Sequence, residues 1–449
     1  MTTSFDMAAI EKKSLGNSYG KYHEVKTLSG QPEEVYSPHH TVPVKSVWYS
    51  LDRKEMTRST SNNIYTYEAE KYMDTLCYSR LYCEIPKIEV KPEYKDTVKI
   101  AWTENLGVNL VKEGDLTNGD RPIQKLDPIS MMLGFQFLFK DGSGKRSEFE
   151  NDIGNHVSMI NWSDVLPKYK ISYIVPWYYS YHTESAFPIF LQNQSTVLKH
   201  RFTYELSIRN LLRMQILIDD TWKNVDRKNP DFFKYLVGDI KNIDPPSMIA
   251  CYAIESEQYK NFKKCKEEIK YYVSSYEAFK NNNPKKIGDT VEIKLSSKKP
   301  CIAIFWVAEN LNAKIINNLT NFTTCSYDIK NGLCICDQSS LTYSDGCEKF
   351  TAKNCSDQKA DTLYFFPSYP LVKGYCSHAF CSTLDSFHSK VGPVLGNLDA
   401  VFSVELKNEF PDDLSSDDDT TYMVHVRVLT LKTLCFKKQP DGNFYCVYD

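Results

Sequence analysis

Hydrophobic and polar positions along the chain fall into short runs with a period of two, or into short runs that are apolar throughout. Phe202, Tyr204, Leu206 and Ile208 alternate with Arg201, Thr203, Glu205, Ser207 and Arg209, which predicts a half-buried antiparallel strand closing a first sandwich. Val291, Ile293 and Leu295 alternate with Glu292, Lys294 and Ser296 and predict another strand with one wet face. Met248 to Ile254 is apolar on both alternating faces, and Cys301 to Val307, directly after Pro300, is apolar throughout. Both read as strands buried on two sides. Between them Glu255 to Glu268 turns polar, with Tyr259 and Phe262 three apart, which predicts a short surface helix. The aromatic and β-branched run Ile269 to Tyr276 predicts a strand. Near the end Tyr422, Val424, Val426 and Val428 share one face before Leu429 and Leu431 take over, a one-residue shift that predicts a β-bulge.

Punctuation sets the boundaries. Asn118-Gly119 is a hairpin signal, since both residue types tolerate positive φ, and Pro122 in the following strand removes an amide donor and predicts an edge position. Leu76 to Val90, interrupted by Pro86, and Val98 to Trp102 supply further strands, and a first one falls within Thr41 to Leu51. Met131 to Phe139 is compact and apolar, and Lys170 to Tyr181 is rich in aromatic residues. Phe402, Val404 and Leu406 form a late strand; Phe444 to Tyr448 pairs back after a turn at Pro440-Asp441-Gly442-Asn443. Residues 1–40 are polar without a sustained period and read as an N-terminal arm. The division that follows is a first sandwich over 41–225, a polar, Pro-bearing joint over 226–246, and a second sandwich over 247–449. A long polar insertion from Leu311 to Thr362 interrupts the second sandwich, and a stretch this long with few strand signals is either a functional loop or a sign that its elements are misassigned.

Composition agrees with an all-β chain: aromatic residues reach 13% of the 449, with 30 Tyr. A formal net charge of −3 gives no global basic field that would make nucleic acid a direct partner. The N-terminus lacks an apolar core of signal-peptide length, and no apolar run approaches the roughly 20 residues that span a bilayer. The expectation is a soluble protein made in the cytoplasm.

The order of these segments resembles the double jelly-roll major capsid proteins of nucleocytoplasmic large DNA viruses. Asn105-Leu106-Gly107, Leu110-Val111, Asn118-Gly119 and Arg121-Pro122-Ile123-Gln124-Lys125 match the layout of one family hairpin. Phe187-Pro188-Ile189-Phe190 fits a Pro-containing apolar segment, and Pro300 to Val307 fits the apolar strand that follows a Pro in the second jelly roll. Gly392-Pro393, Gly396-Asn397 and Asp399 stand where family turns fall. The resemblance runs from about Thr41 to the C-terminus, and its order carries more weight than its short motifs. It implies two consecutive antiparallel jelly rolls with long loops and short surface helices. It also implies a homotrimeric, pseudo-hexagonal capsomer tiling an icosahedral shell, with neighbouring capsomers, minor capsid proteins and an inner viral membrane as partners. The insertion at about 311–362 would be an outer tower loop. A scaffolding or minor capsid relative is the alternative; a carbohydrate-binding or cupin-like sandwich is a distant one.

Jelly rolls also carry cupin metal sites, which need a His-x-His on a strand. The nine histidines include His39-His40 in the arm and isolated residues such as His182, His200 and His425, and none makes that motif. Gly142-Ser143-Gly144-Lys145-Arg146 lacks the spacing of a phosphate loop, and the acidic run Asp412 to Asp419 lacks that of a calcium loop. The sequence therefore presents no catalytic, cofactor-binding or metal-ligating set, and no enzyme is expected. Cysteines concentrate in the insertion as Cys325, Cys334, Cys336, Cys347 and Cys355. The loop has few apolar residues, so disulfides are the reading favoured there. Reduced thiols and zinc stay open, although Cys334 and Cys336 are too close for a zinc knuckle. Sequons at Asn318, Asn321 and Asn354 lie in the same segment and would carry sugar only if the chain met a glycosylating lumen.

Overall fold

The structure, a computed structural model, describes residues 22–26, 32–36, 48–139, 145–181, 185–193, 196–336, 338–344, 348–352, 355–370, 372–381, 393–407, 420–440 and 444–448. His39, His40, His182, the Gly142-Ser143-Gly144 turn, Cys347, Asn354, Gly392, the 412–419 acidic run and the Asp441-Gly442-Asn443 turn lie outside them. Within the expected arm, Tyr22–Lys26 (β1) and Pro32–Tyr36 (β2) pair as an antiparallel hairpin, so that stretch is not featureless.

The first sandwich takes its strands in the order Trp48–Glu55 (β3), Thr57–Ser61 (β4), Ile64–Glu68 (β5), Thr75–Ile85 (β6), Ile88–Glu89 (β7) and Val98–Trp102 (β8). Val111–Asn118 (β9), Arg121–Leu126 (β10), Val165–Leu166 (β11), Tyr169–Ile174 (β12), Phe187–Pro188 (β13) and Leu198–Tyr204 (β14) come next. Leu212–Ile218 (β15), Thr221–Asn224 (β16) and Ser247–Glu255 (β17) complete it. One sheet has the order β10-β9-β14-β5-β4 and the other β12-β6-β17-β3, with β16-β15-β8 as a smaller flank. β14 shows the predicted alternation of buried and half-buried residues over 198–204, but the chain then enters a 3-10 turn at Ile208–Asn210. It does not close the sandwich, because β15 and β17 still follow.

Pro122 does stand in an edge strand, as expected of a residue without an amide donor, and the register slips beside it between Pro122 and Gln124. The hairpin turn sits one residue later than the Asn-Gly reading. Asn118 pairs with Arg121, leaving Gly119 and Asp120 as the central residues, and only Gly119 takes positive φ, at 58°. That is the place where the missing Cβ matters.

Two boundaries differ from the sequence reading. β17, expected to open the second sandwich, pairs with β3 and β6 of the first. Its two-sided apolar pattern required two covered faces, and the interior of the first sandwich supplies them. The 226–246 segment, expected as a joint, straps the first sandwich: Val90 bridges Leu236, and Ile208 and Ile243 donate backbone bonds to Lys241 and Leu206. The crossing to the second sandwich is the predicted surface helix, Glu257–Lys264, capped by the Ser256 hydroxyl accepting from the Tyr259 amide.

The second sandwich is built from Glu268–Lys280 (β18), Thr290–Lys294 (β19), Cys301–Asn310 (β20), Gln338–Thr342 (β21) and Glu348–Ala352 (β22). Cys376–Ala379 (β23), Val401–Glu405 (β24), Tyr422–Lys438 (β25) and Phe444–Tyr448 (β26) follow. Its sheets have the orders β18-β25-β20-β23 and β19-β24-β21-β22, with β26 pairing back on β25. β25 carries no bulge against β18, with which it pairs without a break from Glu268↔Lys437 to Lys280↔His425. The register shift lies on its other neighbour, β20, between Cys301 and Ala303. The change of apolar face along β25 has a tertiary cause. Val424, Val426 and Val428 meet the second sandwich's own core, whereas Leu429 and Leu431 meet the core shared with the first.

The insertion, expected as an outer tower loop, also behaves differently. β21 is an interior strand of its sheet, and the residues before it enter the space between the sandwiches. Its many Asn and Thr residues explain this, because each supplies its own hydrogen-bonding groups where apolar side chains are scarce.

Candidate functional site at the seam between the sandwiches

β20 is the strand around which the seam is built. Ile302, Ala303, Phe305 and Val307 face the core that continues into the first sandwich, whereas Ile304, Trp306 and Ala308 face the second sandwich's own core. Two-sided burial is what a run with no polar position permits. Phe305 packs against Phe137 of the first sandwich at 4.9 Å between ring centroids and against Phe366 at 5.5 Å, and Phe137 meets Phe366 at 5.3 Å. Phe137 reaches this position from a five-residue π turn, Gly134–Leu138, that continues the helix Pro128–Leu133. A second aromatic contact joins Phe187 to Phe436. The two sandwiches therefore share one continuous hydrophobic core.

Polar groups fix the register of this contact. Asp127 caps the 128–133 helix by accepting from the Ser130 amide, and its other carboxylate oxygen accepts from Arg427 Nη2 of β25 at 2.5 Å. The Arg427 guanidinium beside it holds the Asp127 carboxyl below its usual range although burial acts the other way. Arg427 itself is only 4% exposed and also reaches Ser130 Oγ. Further along, Asn105 and Asn109 donate their side-chain amides to Thr320 Oγ1 at 3.0 and 3.3 Å. Thr320 has φ of 51°, an uncommon backbone state for a β-branched residue, which the two asparagines of the first sandwich hold in place. Asn317 Nδ2 donates to the Arg209 and Leu212 carbonyls, and Arg213 Nη2 donates to the Tyr327 carbonyl.

Beside these bonds an open cleft of about 350 Å³ is lined by Lys112, Glu205, Arg227, Glu309, Lys314 and His425, among others. Glu309 Oε1 accepts from Lys314 Nζ at 2.9 Å and Oε2 lies 3.2 Å from His425 Nε2. Burial pushes the Glu309 pKa up, but the His425 hydrogen bond and the Lys314 charge outweigh it and hold the carboxyl at about 2. Lys112 pairs with Glu205 at 3.0 Å across the same cleft. Among the described residues no group of three His, Cys, Asp or Glu side chains is placed to hold a metal ion. His200 is fully buried against the Tyr179 hydroxyl at 2.6 Å, and burial pushes its pKa down to about 3. It is a neutral core residue.

Of the cysteines singled out in the insertion, Cys334 and Cys336 come together beside Cys376 of β23. Cys325 is half-buried, and Cys336 is buried and followed by β21. Cys334 lies 3.8 Å, sulfur to sulfur, from Cys376 of β23, a cysteine outside the predicted group. Its only sequence signal was another Cys in a short strand 42 residues on. Cys355 begins the helix Cys355–Phe365. Asn318 and Asn321 are each 1% exposed and donate their Nδ2 groups to the Ser326 and Cys325 carbonyls. In the folded chain both nitrogens are thus engaged and shielded from solvent.

At the margin of the first sandwich, β3 and β4 form the edges of its two sheets, and from Ser50 to Ser61 only Met56 is buried by the described residues. Sheet edges left bare by the described residues are surfaces that another segment or another chain can cover. On the second sandwich Leu363 and Tyr364 stand out at 68% and 78% exposure.

No protein-family model matches the chain. Over 121 residues it is 30% identical to the major capsid protein of Wiseana iridescent virus, and 29% identical to that of Tipula iridescent virus. Each match covers 26% of this chain, and about a quarter of the relative's length (25% and 26%). Likeness in structure is more extensive. The PBCV-1 VP54 crystal structure superposes with a TM-score of 0.65 over 93% of this chain and 99% of that one, at 12% identity. The Faustovirus major capsid protein superposes with a TM-score of 0.62 over 95% of this chain and 98% of that one, at 8% identity. The fold is the double jelly roll of large-DNA-virus capsid proteins, and the sequence homologues are iridovirus major capsid proteins.

Proposed function

We propose that this chain is a structural major capsid protein. Three copies form a pseudo-hexagonal capsomer, and capsomers tile the icosahedral shell of a large double-stranded DNA virus. The observation that carries this reading is the shared core at β20, which makes two sandwiches into one rigid block. Two similar wedges per chain give six in a trimer, a shape suited to tiling. The exposed β3 and β4 edges supply contact area between copies, and many weak contacts repeated around a shell add up by multivalency. No step in this function requires a catalytic residue or a cofactor, so the chain is read as not an enzyme. It resides in the virion, is made and assembled in host cytoplasm, and meets neighbouring capsomers outside and minor capsid proteins and the viral membrane beneath.

Light scattering on the purified chain tests the reading. Three copies of 51.9 kDa give a trimer of about 156 kDa that persists on dilution. A stable monomer would overturn it. Imaging of purified particles separates the shell role from a scaffolding one: the chain is expected in the mature shell, and its absence there would leave only the transient role.

A further inference from the structure

Where the seam segment lies beside the second sandwich, two cysteine sulfurs meet in a contact that neither the fold nor the capsid reading explains. Cys334 belongs to the segment that enters the seam and bridges Thr323 there; Cys376 lies on β23, paired with Trp306 of β20. Their sulfurs are 3.8 Å apart, and neither is in a disulfide. Cys336, two residues further along, is buried in the same core cluster as Cys376. Burial, then the two neighbouring thiols, push the Cys376 thiol well above its usual range, which slows its attack and makes it the second of the two sulfurs to react. Cys334 is half-buried whereas Cys376 is buried, so Cys334 is the more accessible residue of the two.

We propose that Cys334 and Cys376 are an oxidisable pair that closes into a disulfide when the protein passes from a reducing to an oxidising medium, fastening the seam segment to β23. Bond formation needs the sulfurs to close from 3.8 Å to about 2.05 Å. The oxidant is a small-molecule disulfide such as oxidised glutathione. The Cys334 thiol loses its proton and attacks one sulfur of that reagent, giving a mixed disulfide and releasing one thiol. Cys376 then loses its proton, attacks the Cys334 sulfur and releases the second thiol. Two protein thiols and one disulfide thus become one protein disulfide and two small thiols. The step depends on the chain's own geometry and stands or falls separately from the capsid reading.

The full-length protein, purified under reducing conditions and then exchanged into oxidised glutathione, tests this. Non-reducing peptide mapping is expected to show one dominant cross-link, Cys334 to Cys376, and a melting temperature a few degrees higher that returns to its starting value on reduction. Cys376→Ser is expected to retain the glutathione adduct on Cys334, because the second attack has no nucleophile, and to lose the oxidation-dependent rise. Cys376→Ala checks that this loss does not come from a misplaced hydroxyl in the core. Cys334 and Cys376 both remaining alkylatable after oxidation in the wild-type protein would overturn the proposal, as would a dominant cross-link between any other two cysteines.

Discussion

At the scale of single residues, the seam concentrates charge where water is scarce, and this sets two expectations. Arg427 donates to Asp127 from a buried position, so removing either partner strands a charge. Arg427→Met is expected to lower unfolding free energy by about 3 kcal/mol, the size of a broken buried pair. Adding Asp127→Asn, which keeps an oxygen for the Ser130 amide, should restore much of the loss; denaturant titration of the single and double variants decides it. Glu309 sets a pH dependence. Its folded pKa of about 2 lies below the unfolded value of about 4.3, so the unfolded chain binds more protons between them. The stability it contributes is complete above that range and is lost as pH falls toward 2. The shift corresponds to about 3 kcal/mol. Glu309→Gln should therefore narrow its stability gap to the wild type by about that amount between pH 5 and pH 2. A gap that stays constant with pH would show that the His425 and Lys314 contacts do not hold the carboxylate.

At the scale of elements, β20 connects two cores, and a change on each face should have a different reach. Phe305→Ala opens a cavity in the core shared by both sandwiches, at a cost of about 3–5 kcal/mol. Trp306→Ala on the other face is buried against Phe402 and should cost a similar amount. The expected difference lies in hydrogen exchange. Phe305→Ala should loosen the 128–138 segment of the first sandwich as well as β20, while Trp306→Ala should loosen β19, β21 and β24 and leave 128–138 protected. Gly374 gives a backbone counterpart: its φ is 94° and a Cβ there would collide with the Phe322 carbonyl. Gly374→Ala should destabilise by more than the roughly 1 kcal/mol typical of a glycine replacement, read from the denaturation midpoint.

At the scale of the whole molecule, the shared core predicts that the sandwiches unfold together. Limited proteolysis is expected to cut first outside the seam, with no early release of two stable halves through 220–244, because that segment straps the first sandwich. Early production of two such fragments would contradict the rigid-block reading on which tiling rests. Deleting residues 1–40 is expected to spare the trimer and impair shell assembly, measured by light scattering and particle imaging. Failure of the truncated chain to fold would make that segment part of the core.

The residues themselves determined the strand-rich class, the edge placement of Pro122, the wet face of β19, the two-sided burial of β20 and the capped helix at 257–264. These are local properties, set by side-chain period, amide loss and capping chemistry. Which sandwich a strand joins is not local. β17 and β20 have the same two-sided apolar pattern, yet one lies inside the first sandwich and the other between two cores, because pairing partners far apart in sequence decide it. For the same reason the face change on β25 looked like a bulge, and the Asn- and Thr-rich insertion looked like an exposed tower. Periodicity reports that a face is covered without saying by what. Cys376 completed the sulfur pair only when β23 was laid beside β20, a neighbourhood that backbone pairing across more than 60 residues created.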